Sequence, residues 1–394
     1  MKYRKDPRSG NELSVLGFGC MRFPKTFGSI DMKKTSALIN RAIESGINYF
    51  DTARIYAGSE EALGSVLAES GLRNKVFLSS KLPSWQIKTR QDIDKIFELT
   101  LEKLKTDYID YYFMHMLSEM DTWERLCGLG IKDWIAEKKR SGQIRSIAFS
   151  FHGVREQFIN ILNAYDWDAV LIQYNYSDPN YQAGVQGLKA ACEKGLPVFI
   201  MEPLLGGSLV NELPREVKSI FKTARPDWSP AAWGLNWLWD QNEVTMVLSG
   251  MNEAGQLEDN LKAAESSGVQ SLSAGERAAF DEVRRVFNES QKIKCTGCSY
   301  CLPCPKDVNI PGCFSSYNVS FSVDLLHGLW RYGQTVSYTA KTMRNAGRCV
   351  GCSKCEQHCP QNLPIRENLK LVKKRLEPFW FWQALSLARK FIKL

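Results

Sequence analysis

The distribution of cysteines constrains this chain more than any other feature of its sequence. Of twelve cysteines, nine fall after residue 294, eight of them in two short runs. The first run is Cys295-x2-Cys298-x2-Cys301-x2-Cys304-Pro305, and the second is Cys349-x2-Cys352-x2-Cys355-x3-Cys359-Pro360. In a small secreted protein so many cysteines would suggest disulfides. Here the N-terminal stretch lacks the apolar segment of a signal peptide, and no run of about 18 apolar residues could span a bilayer. The expected address is therefore the cytoplasm, where thiols stay reduced and metal ligation is the first reading of such runs. Structural zinc fits poorly, because four-cysteine zinc sites pair two CxxC units across a cysteine-free gap of about 15–20 residues. Cys20, Cys127 and Cys192 stand alone among apolar residues and read as small core side chains.

The second run reproduces the bacterial ferredoxin spacing at every position, and the C-terminal segment resembles the two-cluster ferredoxins in this respect. In such modules three cysteines wrap one cubane, and the fourth, set before Pro, ligates the other cluster. The first run is one residue shorter before its last cysteine. The resemblance implies one [4Fe-4S] cluster on Cys295, Cys298, Cys301 and Cys359, and another on Cys349, Cys352, Cys355 and Cys304. Cys313 is the alternative to Cys304 as the fourth ligand.

The rest of the chain alternates short β-branched or aromatic runs with longer amphipathic stretches, the pattern of βα units. Eight strand candidates lie near Leu16, Asn48, Val76, Tyr108, Arg145, Ala169, Pro197 and Val244. Helical patterns run between them, including KKTSALINRAIESG, TRQDIDKIFELTLEKLK and TWERLCGLGIKDWIAEKKRSG. Eight such units favour a closed (β/α)8 barrel over an open sheet. The expected organisation is an α/β barrel over 1–290, a small α+β ferredoxin-like domain over 291–365 and an amphipathic helical tail over 366–394.

Over about residues 10 to 285 the chain resembles the aldo-keto reductases, through Phe50-Asp51-Thr52-Ala53 with Tyr56, then Ser80-Lys81, then His115. Each falls at or just past the C-terminal end of a predicted strand, where barrel active sites are built. The resemblance implies Tyr56 as proton donor, Lys81 as the ammonium that lowers its pKa, Asp51 as the partner of Lys81, and His115 as the group orienting the substrate oxygen. A free tyrosine titrates near pH 10, so a nearby cation makes proton donation easier at neutral pH.

The same resemblance implies NADP(H) or NAD(H) as cofactor, with Ser150 and Gln173 at the nicotinamide carboxamide. It puts Gly206 and Ser208 in the loop covering the pyrophosphate and Asn260 in the adenosine-phosphate region. The chain departs from the family in having Phe151-His152 after Ser150, where Asn is usual, and Gly250 and Gln256 where Lys and Arg often grip a 2′-phosphate. His152 is a possible substitute contact. No flavin motif is recognisable, although a flavin would bridge one-electron and two-electron chemistry.

The formal charge is +8, and residues 366–394 hold eight Lys or Arg against two Glu. Two oxidised clusters with their thiolates would each bring about −2, so charge alone does not point to nucleic acid. Pro378 breaks the tail into two amphipathic pieces, which are expected to dock onto the protein; contact with a membrane surface is the less favoured reading. The expected function is oxidation or reduction of a carbonyl or alcohol of a small molecule, with the clusters relaying electrons to or from a redox protein. The alternative is an electron-transfer subunit whose barrel has lost nicotinamide binding.

Overall fold

A computed structural model of the chain describes residues 1–153, 155–322, 324–337 and 343–383. The chain divides into two compact units, Met1–Pro203 with Ala231–Ser273, and Leu204–Pro230 with Ala274–Leu394. The second unit thus takes in residues 204–230 and the helix Ala274–Ser290, both of which the sequence reading assigned to the barrel.

In the first unit eight parallel strands close into a barrel in sequence order: β1 (Leu16–Gly19), β2 (Tyr49–Asp51), β3 (Phe77–Pro83), β4 (Ile109–His115), β5 (Ile144–Phe151), β6 (Ala169–Gln173), β7 (Val198–Met201) and β8 (Val244–Ser249). β8 returns to pair with β1, matching Val247 with Leu16 and Ser249 with Phe18. All eight strand candidates are strands, because each is a short apolar run buried on both faces, as a barrel strand must be.

Aromatic side chains fill the barrel interior: Tyr49, Tyr111 and Phe199 meet pairwise at centroid distances of 5.2–5.4 Å. A hairpin of Tyr3–Lys5 and Glu12–Ser14 precedes the barrel, placing Leu13 in that core, and Asp6 accepts a 2.6 Å hydrogen bond from the Tyr111 hydroxyl. Asp110, at the start of β4, takes Arg73 and Arg145 at 2.9 and 3.0 Å. These polar contacts serve the amino-terminal ends of the strands and leave the opposite ends for chemistry.

The helices follow their sequence signals. Met32–Glu44 is capped by Asp31, and Arg90–Leu104 opens on a Thr89–Asp92 capping box. The pattern TWERLCGLGIKDWIAEKKRSG forms two helices, Met120–Gly128 and Ile131–Arg140, because Gly130 takes φ 78° between them. Gly64 in the helix Ser59–Ser70 lies against the Lys103 carbonyl, a contact that a Cβ would forbid.

In the second unit every regular element among the described residues is a helix or a single turn. The strand component expected by likeness to ferredoxins is therefore absent from those residues, and helices Ile310–Ser322, Leu325–Ser337 and Ile365–Leu376 build the core instead. Their apolar faces bury Phe314, Tyr332, Leu369 and Val372, with six of the run cysteines packed against this cluster. In the tail the helix ends at Leu376, before Pro378, and Phe381 is buried against the same core. The end of the tail, residues 384–394, lies outside the described residues.

Candidate functional site

The carboxyl ends of the early barrel strands bring four of the expected residues together. Asp51 ends β2, Lys81 lies in β3, His115 ends β4, and Tyr56 follows β2 in the loop before helix Ser59–Ser70. Lys81 is buried, and its Nζ donates to both Asp51 oxygens at 2.7 and 2.6 Å and to the Thr52 carbonyl at 2.8 Å. Ser79 donates a further 2.7 Å bond to Asp51. The Lys81 Nζ also lies 5.1 Å from the Tyr56 ring centroid, within cation–π range. Tyr56 and His115 meet edge to face at 6.1 Å, and Trp85, partly exposed, tilts against His115 at 5.3 Å.

Electrostatics in this pocket follow from burial. Burial lowers the Lys81 pKa, opposed by the Asp51 charge. Burial, then the Lys81 charge and His152, hold the His115 imidazole well below its ordinary value, so it stays neutral at physiological pH. His152 is lowered to about 4 by burial, partly offset by a hydrogen bond with Gln182.

Both imidazoles therefore bind protons in the unfolded chain, below about pH 6.5, before they do so in the folded one. Stability is expected to fall as pH is lowered from about 6.5, the His152 share running down to about 4. The slope from one such group reaches about 1.4 kcal/mol per pH unit. Urea denaturation midpoints of wild type and His152→Gln between neutral and acid pH measure that share. The wild-type midpoint should fall more steeply than the variant's as pH is lowered, and parallel curves would refute the assignment.

Of the residues expected at a nicotinamide, Ser150 in β5 accepts from the Met116 N–H at 2.9 Å, and Gln173 ends β6. Gln182 donates to Gln173 at 3.2 Å. Asn260 is buried and donates to the Ser249 hydroxyl at the end of β8 at 2.8 Å. Gln256, in the first turn of helix Ala254–Ser266, accepts from the Asn252 N–H, and Arg22 approaches Gly250. Gly206, at φ 65°, and Ser208, opening the short helix Ser208–Asn211, belong to the second unit rather than to the barrel unit. Sequence reasoning missed Ser79, Trp85 and Gln182, since none carries a motif and each matters only through what it touches.

Cys20 is buried, and burial raises its thiol well above the ordinary range. Burial also raises Cys127 and Cys192, which suits inert side chains rather than nucleophiles.

In the second unit the eight run cysteines rim two hollows. Cys295, Cys298, Cys301 and Cys359 line one, and Cys304, Cys349, Cys352 and Cys355 the other, so each run lends its last cysteine to the other's group. The two runs are conformational copies. Gly297 and Ser299 take φ 67°, and Gly351 and Ser353, at the matching offsets, take 75° and 62°. After the final cysteine of each run, Asp307 and Asn362 take φ 56° and 49° and donate to the Cys304 and Cys359 carbonyls. Cys304 thus occupies the place of Cys359 despite the shorter spacing. Cys313 lines neither hollow: it is buried in the helical core, with its thiol pushed up to about 12 by burial. Burial is also the main cause that lifts Cys301, and lifts Cys355 to about 11, so ligation would have to displace their protons. Ile310 lines both hollows.

Comparison with known proteins matches these two regions separately. Residues 15–283 match the aldo/keto reductase family model, and residues 294–363 match a 4Fe-4S dicluster domain. An uncharacterized oxidoreductase of Bacillus subtilis, YrpG, is 27% identical over 68% of this chain and 92% of its own length. The aldo-keto reductase yakc [NADP(+)] of Schizosaccharomyces pombe is 24% identical over 64% and 85%. Among solved structures, the holo form of an aldo-keto reductase from Bacillus halodurans is similar at TM-score 0.59 and 25% identity, over 72% of this chain and 96% of that one. A Klebsiella pneumoniae aldo-keto reductase in complex with NADPH shares the fold at TM-score 0.61 and 20% identity, with the same coverage. With its eight-stranded barrel and its paired cysteine runs, the chain belongs to the aldo/keto reductase family, as an oxidoreductase with a C-terminal 4Fe-4S domain.

Proposed function

We propose that the barrel interconverts the carbonyl and alcohol of a small molecule with a bound nicotinamide, and that two [4Fe-4S] clusters relay electrons to or from a redox protein. The observation that carries the barrel half is the buried Asp51–Lys81 pair, with its cation under the Tyr56 ring and neutral His115 beside it. A nicotinamide would supply or accept the hydride, held by Ser150, Gln173 and Asn260 with His152 standing in for the missing Asn. Tyr56 gives its phenolic proton to the oxygen that gains charge when a carbonyl is reduced. Lys81 makes that proton easier to lose, Asp51 fixes Lys81, and His115, being neutral, can hydrogen-bond the same oxygen without competing as an acid. Preference for NADP(H) is favoured by the name of the fission-yeast relative, with Arg22, beside Gly250, as a cation for a 2′-phosphate.

For the second unit, each hollow offers four thiols, the donor set of one cubane. Among the described residues no three His, Cys, Asp or Glu side chains gather closely enough to hold one metal ion. A single zinc needs its sulfurs within about 2.3 Å of one point, whereas a cubane spreads them over separate iron corners. The clusters would supply one-electron chemistry, and two of them match the two electrons of a hydride.

Titrating anaerobically purified holoprotein with NADPH and NADH tests this reading. Saturable binding of either, with carbonyl turnover, is expected. No binding would instead favour an electron-transfer subunit, a reading supported by Phe151 and by Gln256 being engaged with the Asn252 N–H at the start of its own helix.

A further inference from the structure

The two hollows differ in charge and exposure. That of Cys295, Cys298, Cys301 and Cys359 is lined otherwise by Thr, Ser, Gln, Pro, Phe, Ile and Leu, with no charged side chain. All four of its thiols are partly buried. The hollow of Cys304, Cys349, Cys352 and Cys355 is lined by Lys306 and Arg366, and its Cys352 is exposed. Arg348 is exposed beside it, its Nε 3.0 Å from the Lys306 carbonyl, and exposed Lys354 directly precedes Cys355. Nearby acids are partly engaged: Glu356 with Arg366 at 2.9 Å and Asp307 with Arg344 at 3.1 Å. Val350, between Cys349 and Gly351, is 63% exposed, a small apolar point among these cations.

Resting on the cluster reading above, we propose that the Cys304–Cys349–Cys352–Cys355 centre is the port at which electrons pass between this chain and a small acidic one-electron carrier protein. An exposed ligand residue lets a partner's redox centre approach closely, while the other centre's four cysteines are all partly buried. Basic side chains around it attract an anionic partner and raise the association rate by about 10–1000-fold at low ionic strength. A small apolar point inside a charged rim suits the weak, transient contacts of electron-transfer pairs. In the transfer the carrier loses one electron and the centre gains it, or the reverse; no bond forms and no proton need move.

The test is anaerobic stopped-flow mixing of oxidised full-length holoprotein with a reduced, acidic plant-type ferredoxin as probe. Reduction of the wild type should be fast and should slow steeply with added salt. The double variant Arg348→Glu, Lys354→Glu should react about tenfold more slowly or worse at low salt and lose that salt dependence. Its reduction by a small neutral reductant should stay at the wild-type rate. An unchanged rate with ferredoxin, at full iron content, overturns the port and leaves the cluster reading standing. Absence of iron from the wild type overturns both. Should the variant lose only binding to phosphatidylserine vesicles while keeping its ferredoxin rate, the rim is a membrane contact and the port is likewise overturned.

Discussion

Tyr56→Phe is expected to lower carbonyl turnover by about 100- to 10,000-fold, the usual share of a positioned proton donor. The substitution deletes one oxygen and keeps the ring that lies over the Lys81 ammonium and against His115. Asp51 keeps its three bonds from Lys81 and Ser79, so the fold around the pair should not change. Removing Lys81 would be a poorer probe, because the Asp51 carboxylate would be left charged and buried, a loss of about 3–5 kcal/mol that would mix stability with catalysis. Steady-state rates, melting temperature and the visible absorbance of the iron centres measured on one preparation separate the effects. A drop in rate alone fits a donor. Turnover within a few-fold of wild type would remove Tyr56 from that role.

The barrel was legible because its signals are local. Each strand is a short run of β-branched and aromatic residues, and capping residues such as Asp31 and Thr89 mark where helices begin. The break at Gly130 was harder to see, since glycine within an amphipathic pattern reads equally as a tolerated interior residue, and only its positive φ reveals the stop. The Asp51–Lys81–Tyr56–His115 grouping was legible by likeness to a family, and the geometry adds what likeness could not supply: the Thr52 carbonyl and Ser79 that complete the shell of the ion pair. Trp85 and Gln182 were illegible because they lie on a single 3-10 turn and a loop, where position depends on tertiary packing rather than on periodicity.

In the cysteine region spacing alone left Cys304 and Cys313 as alternatives. A signal did exist, in that Cys-x-Gly-Cys-Ser occurs at both 295 and 349, and a helix opens six residues after both Cys304 and Cys359. That repeat ties Cys304 to Cys359 by symmetry. The helices between the runs could not be foreseen from the ferredoxin likeness, which concerns the ligand loops and says nothing about Ile310–Ser322 or Leu325–Ser337.

The crossed arrangement of thiols makes a prediction that separates it from one in which each run holds its own centre. Wild type should contain about eight iron atoms per chain, and Cys304→Ala about four. Cys313→Ala should keep all of its iron and lose only about 1–2 kcal/mol, the scale for deleting a small buried group from a packed core. Pairing substitutions then reports which thiols share a centre. Because Cys304 lines the same hollow as Cys352, the double variant Cys304→Ala, Cys352→Ala should still hold about four irons. Because Cys298 lines the other hollow, Cys304→Ala with Cys298→Ala should hold almost none. If each run served its own centre, these two outcomes would exchange places. Iron and sulfide analysis of anaerobically isolated protein, with electron paramagnetic resonance of the dithionite-reduced form, decides between them.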